Sequence, residues 1–262
     1  MTHDSRDSAR DGARLLRQRM EMGEHELFLD GLTREQALSL AAAARKGATR
    51  AAVQVSPTPF AASVPAAPAT AAKLAVLPAS YEELRDTALV CTRCRLSETR
   101  TQVVFSDGAV NARLVVVGEA PGANEDASGL PFVGAAGKYL DLLLASVGLS
   151  REDSVYICNV LKCRPPANRN PMADEIDACA PFLKRQLELI RPMALLAVGS
   201  FAAQLLTGSE KTALGKLRGQ VHSYEGVPLV CTYHPAALLR NPKWTRSFWD
   251  DLQLLRTLLD GA

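Results

Sequence analysis

Three polar side chains stand at the ends of three apolar runs in this sequence. Glu119 follows the run LVVVG, Asn159 closes the run VYICN, and His234 follows the run VPLVCTY. Short runs rich in β-branched residues are typical of strands that are buried on both faces. The carboxyl ends of parallel strands meet at one edge of the sheet, where open α/β sheets bind their ligands. A carboxylate, an amide and an imidazole at that edge would offer charge stabilisation, paired hydrogen bonding and proton donation, so the sequence predicts a pocket there.

A second set of residues suited to chemistry consists of cysteines. Cys91 and Cys94 form a C-x-x-C pair, which is compact enough for both sulfurs to bind one metal. Cys163 and Cys179 are separated by fifteen residues that include Pro165, Pro166 and the helix start at Asn170-Pro171, so they are able to fold back and supply two more thiolates. Four thiolates suit zinc or an iron–sulfur cluster, and the spacing alone does not choose between them. The alternative is a redox-active pair with two buried thiols. The other two cysteines lie within apolar strands, where we expect packed thiols.

These residues need a scaffold of alternating strands and helices. Apolar runs and helix-start signals predict strands at 114–118, 155–160, 193–198 and 227–231, and helices at 80–90, 135–147, from 170, from 200 and at 245–259. Strands that alternate with helices indicate an α/β fold, in which a largely parallel sheet has helices on both faces. We therefore expect a three-layer α/β fold around a central four-stranded, largely parallel sheet.

Composition divides the 262 residues into three parts. We expect a helical arm of unknown role at residues 1–46 and the folded domain at residues 79–262. Residues 47–78 are Ala/Pro-rich, a composition that indicates a disordered linker. No run approaches the ~20 apolar residues of a membrane span, and the charged N-terminus lacks the apolar core of a signal peptide. We expect a cytoplasmic protein with reduced cysteines that does not interact with membranes.

Charge excludes a protein that binds nucleic acid through bulk basicity. Residues 1–78 carry 10 Lys/Arg against 8 Asp/Glu, and residues 79–262 carry 20 against 20, which gives the chain a net charge of +2. A strongly basic domain would show a large excess of Lys and Arg. Any DNA binding must therefore come from local patches.

Four further motifs complete the pattern: GEAPG, LPFVG, NVLKCRPPANRNP and HPAALLRNP. In this order, and together with the C-x-x-C pair, they resemble the family 4 uracil-DNA glycosylases, which carry a [4Fe–4S] cluster. The resemblance covers about residues 80–260, and residues 1–78 lie outside it. It implies the uracil-DNA-glycosylase fold and implies that the cluster is held by Cys91, Cys94, Cys163 and Cys179.

The resemblance also implies a role for individual pocket residues. Gly118, Glu119 and Ala120 would line the water-binding side, Phe132 would stack on the uracil ring, Asn159 would read its edge, and His234 would face O2. Glu125 and Asn168 match positions with weaker links to activity. The catalytic set is thus Glu119, Asn159 and His234. The best-known branch of the wider superfamily has Asp where this chain has Ala120, so we assign Glu119 in place of that Asp.

The residue types fit this chemistry independently. Breaking the deoxyribosyl–uracil bond builds positive charge on the sugar and negative charge on the base, which a carboxylate and a donor at O2 would stabilise. An amide such as Asn159 is able to donate to O4 and accept from N3–H, whereas cytosine presents the reverse pattern. Candidate phosphate contacts lie in or beside the pocket loops, namely Arg164, Arg169, Arg240, Lys243 and Arg246. The resemblance further implies that Leu238, Leu239 and Arg240 enter or brace the DNA.

The predicted function is therefore excision of uracil from single- or double-stranded DNA by a monomer, and an unidentified protein is a candidate partner for its N-terminal arm. One alternative keeps the fold and the cluster but lacks turnover, as a DNA-binding module associated with replication or repair. A second is the cross-linking subclass of the superfamily, which needs a His in a basic insert that this chain replaces by KCRPPANRNP. A third is a zinc-ribbon scaffold unrelated to uracil.

Overall fold

The computed structural model describes residues 78–209 and 211–261. The predicted helical arm at 1–46, and all of the predicted linker except Pro78, lie outside the described residues. Within the described part of the chain, no helix is long and apolar enough to cross a membrane. The strands are β1 Asp107–Gly108, β2 Leu114–Gly118, β3 Val155–Asn159, β4 Ala194–Val198, β5 Val221–Tyr224 and β6 Val227–Thr232. The α-helices are α1 Tyr81–Leu89, α2 Ala123–Ser128, α3 Ala135–Ala145, α4 Ala173–Ile190, α5 Ser200–Thr207, α6 Leu214–Leu217, α7 Pro235–Arg240 and α8 Thr245–Asp260.

One mixed sheet organises the domain, with the strand order β1-β3-β2-β4-β6-β5. The four inner strands are parallel and are the four that the sequence predicts. The prediction of a four-stranded sheet is wrong in number, because an antiparallel strand is added at each edge. The Asp-Gly of β1 is typical of a turn, and β5 is half exposed, so neither carries the apolar signal of a buried strand.

Alternate residues of the inner strands face opposite layers of the core. Val115 and Val117 pack in one cluster with the inner face of α4 and with α5, whereas Leu114 and Val116 pack in another with α3 and α8. Because both faces are covered by helices, β2, β3 and β4 are buried along their whole length and β6 over its last four residues, which explains their continuous apolar runs. The predicted α/β fold with helices on both faces is confirmed.

Helix boundaries follow from local capping. Ser80 caps α1 as predicted, because its hydroxyl accepts a hydrogen bond from the Glu83 amide at 3.2 Å. Helix α4 begins at Ala173, a few residues later than the predicted start at 170, where the Glu175 carboxylate accepts from the Met172 amide at 2.9 Å. The short helices α2, α6 and α7 were not predicted, since four to six residues give too little periodicity.

Candidate active site and cysteine cluster

The carboxyl edge of the parallel strands brings the predicted pocket residues together. Gly118 at the end of β2 pairs in register with Asn159 at the end of β3, and Glu119 follows directly. His234 comes two residues after β6, and a Cβ atom built on Gly199 at the end of β4 would lie 3.2 Å from the His234 Cβ. The three predicted catalytic residues therefore share one sheet edge, as expected from parallel topology.

Asn159 is buried and its side-chain oxygen lacks a partner. The side chain is 2% exposed, and Oδ1 has no hydrogen-bond partner among the described residues. A buried acceptor without a partner costs about 1–3 kcal/mol, so a ligand that donates to it regains that energy. Gly118 makes room for this amide, because a Cβ there would lie 2.3 Å from Oδ1 and 2.7 Å from the Phe132 ring.

Phe132 sits against His234 in a constrained turn. The two rings are stacked, with centroids 5.5 Å apart and an interplanar angle of 26°. Phe132 has a φ of +54°, which is rare for a bulky residue. The Glu125 carboxylate accepts hydrogen bonds from the amides of Val133 and Gly134 at 3.0 and 2.9 Å. The structure therefore uses Glu125, predicted as a substrate-binding residue, to hold the Phe132 turn.

His234 has a defined tautomer. Its Nδ1 accepts a hydrogen bond from the Ala236 amide at 3.1 Å, at the start of α7. Burial, with a smaller contribution from the positive charge of Arg240, lowers the pKa of His234 to about 4. At neutral pH the ring is therefore uncharged, and because Nδ1 is an acceptor the proton sits on Nε2. Nε2–H is thus a neutral donor at the pocket.

Glu119 is a partly buried carboxylate beside this donor set. Burial raises its pKa above the ordinary value. Its backbone carbonyl accepts from the Leu161 amide at 3.0 Å, which ties the turn after β2 to the segment after β3. Ala120, the next residue, is half-buried and packs against the core. The turn is thus held by its backbone, and the Glu119 side chain makes no hydrogen bond to another described residue.

The predicted DNA contacts lie on two parts of the surface. Leu239, Arg240 and Lys243 are exposed on and just after α7. Arg164 donates to Oδ1 of Asn168 at 2.8 Å, so these two predicted residues lie together in an exposed loop.

Arg169, another predicted DNA contact, forms a two-pronged ion pair with buried Glu175. Its Nη2 and Nη1 lie 2.5 and 2.9 Å from the carboxylate oxygens. The pair lowers the pKa of Glu175 and fixes the start of α4. Arg169 therefore has a structural contact that the sequence did not predict.

The four predicted cysteine ligands line one cavity. Cys91, Cys94, Cys163 and Cys179 all contribute to its lining, and all four are free thiols. Burial raises the pKa of Cys179 to about 12, so its thiol stays neutral unless a bound cation draws off the proton. The two remaining cysteines, Cys158 and Cys231, are buried within the sheet core, as expected.

Two donors point at these sulfurs. Arg100 donates to the Cys163 sulfur at 3.3 Å and to the Cys91 carbonyl at 2.7 Å. The Lys162 amide donates to the Cys179 sulfur at 3.3 Å. Such N–H···S bonds and a nearby cation stabilise thiolate ligands and tune iron–sulfur centres.

The four sulfurs form a donor set that suits more than one metal group. Within residues 78–209 and 211–261, no group of three or more His, Cys, Asp or Glu side chains is arranged to hold a single metal ion. Four cysteine sulfurs around one cavity are the donor set of a tetrahedral zinc site and of an iron–sulfur cluster alike.

Sequence reasoning missed two basic residues that support the pocket. The buried Lys162 Nζ donates to the Asn159 carbonyl at 2.7 Å, and Arg151 donates to the Phe132 carbonyl at 3.0 Å. Neither residue has a sequence signal that separates it from a solvated surface charge.

Comparison with known proteins agrees with this geometry. A sequence model of the uracil DNA glycosylase superfamily matches residues 105–253. The chain is 44% identical over 186 residues to a type-4 uracil-DNA glycosylase of Archaeoglobus fulgidus, which covers 68% of this chain and 93% of the relative. It is 46% identical over 152 residues to one of Thermotoga maritima, covering 58% and 79%. It is 40% identical over 187 residues to one of Sulfurisphaera tokodaii, covering 68% and 84%.

Proposed function

The chain belongs to the uracil DNA glycosylase superfamily and, within it, to the type-4 uracil-DNA glycosylases, and from this premise we propose that it excises uracil from DNA. The enzyme flips uracil out of the helix and hydrolyses its N-glycosidic bond. The product is an abasic site, which starts base-excision repair. The observation that carries the proposal is the buried, unpartnered Oδ1 of Asn159 beside Phe132 and His234.

Asn159 selects uracil by its hydrogen-bonding pattern. Oδ1 accepts from uracil N3–H, which supplies the partner that this oxygen lacks, and Nδ2 donates to O4. Cytosine presents an acceptor at N3 and donors at N4, so both contacts become unfavourable in a dry pocket. Discrimination that leaves buried polar groups unpaired reaches 10⁴–10⁵ in other enzymes, far more than a difference in shape provides.

Phe132 and His234 act on the flipped base. Unstacking a base costs a few kcal/mol, and stacking on the Phe132 ring offsets part of that cost. As the glycosidic bond breaks, negative charge develops on uracil O2, and the neutral Nε2–H of His234 donates to it. A neutral donor gives up no proton to the base, so uracil leaves as an anion and takes its proton from solvent.

Glu119 serves the sugar side of the reaction. The sugar gains positive charge as the base departs, and an ionised carboxylate beside it lowers the energy of that state. Water then attacks the anomeric carbon, transfers a proton to the Glu119 carboxylate or to solvent, and leaves the abasic sugar. Since Ala120 carries no acid, Glu119 is the acidic residue of the GEAPG turn available to orient that water.

We infer that the four clustered cysteines hold a [4Fe–4S] cluster. The support is the set of four thiols around one cavity, the two N–H···S bonds and the cation of Arg100. Bound there, a cluster would tie together the segment after α1, the segment after β3 and α4. Cys163 directly precedes Arg164, so a bound cluster would brace the loop that carries Arg164 and support a DNA-binding surface rather than bond cleavage.

DNA is bound through local contacts around the pocket mouth. Arg240 and Lys243 are exposed and follow the His234 turn, and Leu239 is exposed on the surface of α7. Cations at these positions contact phosphates, and an apolar side chain at 239 fills the gap that the flipped base leaves. Arg164 and Arg169 extend the surface along the loop before α4. The protein acts as a monomer in this proposal.

The test is base release from an oligonucleotide that contains one uracil. Purified full-length protein is incubated with single- and double-stranded forms, and abasic sites are revealed by alkaline cleavage. Release from uracil but not from matched thymine and cytosine substrates is expected. A protein that retains iron and binds the oligonucleotide but releases no base would contradict the proposal and favour a non-catalytic DNA-binding module.

The metal assignment is tested on the same preparation. Iron, sulfide and zinc are quantified against protein, and the visible absorption spectrum is recorded. About four irons and four sulfides per chain are expected. Stoichiometric zinc without sulfide would overturn the cluster and leave the glycosylase proposal to the release assay.

A further inference from the structure

The guanidinium of Arg151 binds the backbone on which the Phe132 ring is carried. It donates to the Pro131 carbonyl at 2.9 Å and to the Phe132 carbonyl at 3.0 Å. Its remaining contacts are ion pairs with Asp107 at 2.7 Å and Asp141 at 3.0 Å. We propose that Arg151 is a positioning residue that holds the Phe132 ring in place for stacking on the flipped uracil, an inference that rests on the proposed function.

The turn at Phe132 needs such a hold, because its backbone is in a disfavoured conformation. A φ of +54° is uncommon for a residue with a bulky side chain and persists only where the surroundings over-determine it. Helix α3 approaches so closely that a Cβ atom on Gly137 would lie 1.7 Å from the Phe132 carbonyl oxygen. The carbonyl thus points into a space that only a glycine leaves open.

The two sides of the turn are held by opposite charges. Arg151 satisfies the carbonyls of residues 131 and 132, and Glu125 accepts from the amides of residues 133 and 134. Arg151 is itself fixed by two carboxylates from β1 and α3, and its side chain is 18% exposed. A guanidinium suits this position, because its planar fork donates to several acceptors at once.

Loss of this hold should affect binding more than chemistry. The Phe132 ring contacts the base both before and during bond cleavage, so its stacking is uniform binding and appears in KM. If the φ of Phe132 changes to a negative value, the ring moves away from His234 and from Gly118. We expect Arg151→Ala to raise KM for uracil DNA about tenfold, equivalent to about 1.4 kcal/mol. The single-turnover rate at saturating enzyme should stay within about twofold.

A double-mutant cycle tests whether Arg151 acts through Phe132. KM and single-turnover rates are measured for the wild type, Arg151→Ala, Phe132→Ala and the double variant on the single-uracil oligonucleotide. The Arg151 effect on KM should largely vanish in the Phe132→Ala background. Arg256→Ala is the control, since Arg256 also donates to a backbone carbonyl, that of Val147, and pairs with Asp260. It should leave KM unchanged.

Folding is verified by circular dichroism and by thermal melting of each variant. If Arg151→Ala does not fold, the cycle is run with Arg151→Lys, whose single ammonium cannot bond both carbonyls and both carboxylates together. An unchanged KM in a folded variant, or an equal effect with and without the Phe132 ring, would overturn the proposal. An inactive wild type would instead contradict the proposed function, so the two failures are distinguishable.

Discussion

Replacing Asn159 by Asp tests the uracil-reading role with almost no change in shape. The variant exchanges the Nδ2 donor for a second acceptor at a side chain that is 2% exposed. Uracil O4 then loses its donor, at about 1–3 kcal/mol, and a carboxylate facing that oxygen adds a repulsion of similar size. A total of about 3 kcal/mol predicts a fall of roughly 100-fold in kcat/KM for uracil release.

The pH dependence of this variant separates recognition from a general loss of structure. Burial raises the pKa of an introduced carboxyl, and its protonated form donates a hydrogen bond to O4. Release by Asn159→Asp should therefore recover as the pH falls, whereas the wild type should show no such gain. Initial rates on the single-uracil oligonucleotide between pH 5 and 8 provide the measurement.

Asn111→Asp is the matched control, because it makes the same chemical change at an exposed position just before β2. Its rates should follow the wild type at every pH. If Asn159→Asp retains wild-type activity at neutral pH, or if its loss does not depend on pH, the amide does not read O4 and the assignment of Asn159 is wrong.

Three further changes probe the pocket and the cysteine cluster. His234→Ala removes the neutral donor at O2 and should lower kcat about 10²- to 10³-fold in single-turnover assays. The pKa of His234 is lowered to about 4 in the folded protein, so as the pH falls from about 6.5 the unfolded chain takes up a proton at this residue before the folded protein does. The wild type should therefore lose stability between pH 6.5 and 4, and His234→Ala should lose less, as thermal melts would show. Cys163→Ala should lose iron and melt at a lower temperature, whereas Cys231→Ala, in the sheet core, should keep its iron. Gly118→Ala places a methyl group 2.3 Å from the Asn159 amide oxygen and should abolish uracil release while the protein stays folded, as circular dichroism would verify.

The sequence predicted the parts of the fold that carry strong local signals. The continuous apolar runs of β2, β3, β4 and β6 indicated a sheet covered on both faces, and the parallel topology then placed Glu119, Asn159 and His234 at one edge. The edge strands were missed because their stability comes from pairing with a neighbour that a local pattern does not reveal. Asp107–Gly108, for example, is a strand only because it pairs with β3.

The supporting residues of the site were harder to predict, because their roles depend on long-range contacts. Arg151 lies in a loop whose sequence, LSREDS, is typical of an exposed turn, yet it bonds to carbonyls about twenty residues away. Glu125, which the sequence predicted as a substrate-binding residue, also holds the amides of the Phe132 turn. The family motifs mark such positions but do not distinguish a residue that contacts the substrate from one that holds its neighbour.

The segment from Asn159 to Cys163 joins the uracil pocket to the cysteine cluster. The backbone amides of Val160 and Leu161 donate to the carbonyls of Gly118 and Glu119 at 2.9 and 3.0 Å, so the segment continues the β2–β3 ladder beyond the strand ends.

Lys162 links the two sites through its side chain as well. It lines the cysteine cavity, is 2% exposed, and its Nζ donates to the Asn159 carbonyl at 2.7 Å. A buried ammonium is costly unless it is paired, and four thiolates around the proposed cluster would supply negative charge beside it. Removal of the iron would leave this cation with the Asn159 carbonyl and the Phe105 ring, and would loosen the backbone that presents the uracil-reading amide. We therefore expect iron-depleted protein to bind a uracil oligonucleotide more weakly while its affinity for a thymine control changes less, which fluorescence anisotropy would measure. An equal loss for both oligonucleotides would mean that the cluster supports DNA binding alone and leaves Asn159 unaffected.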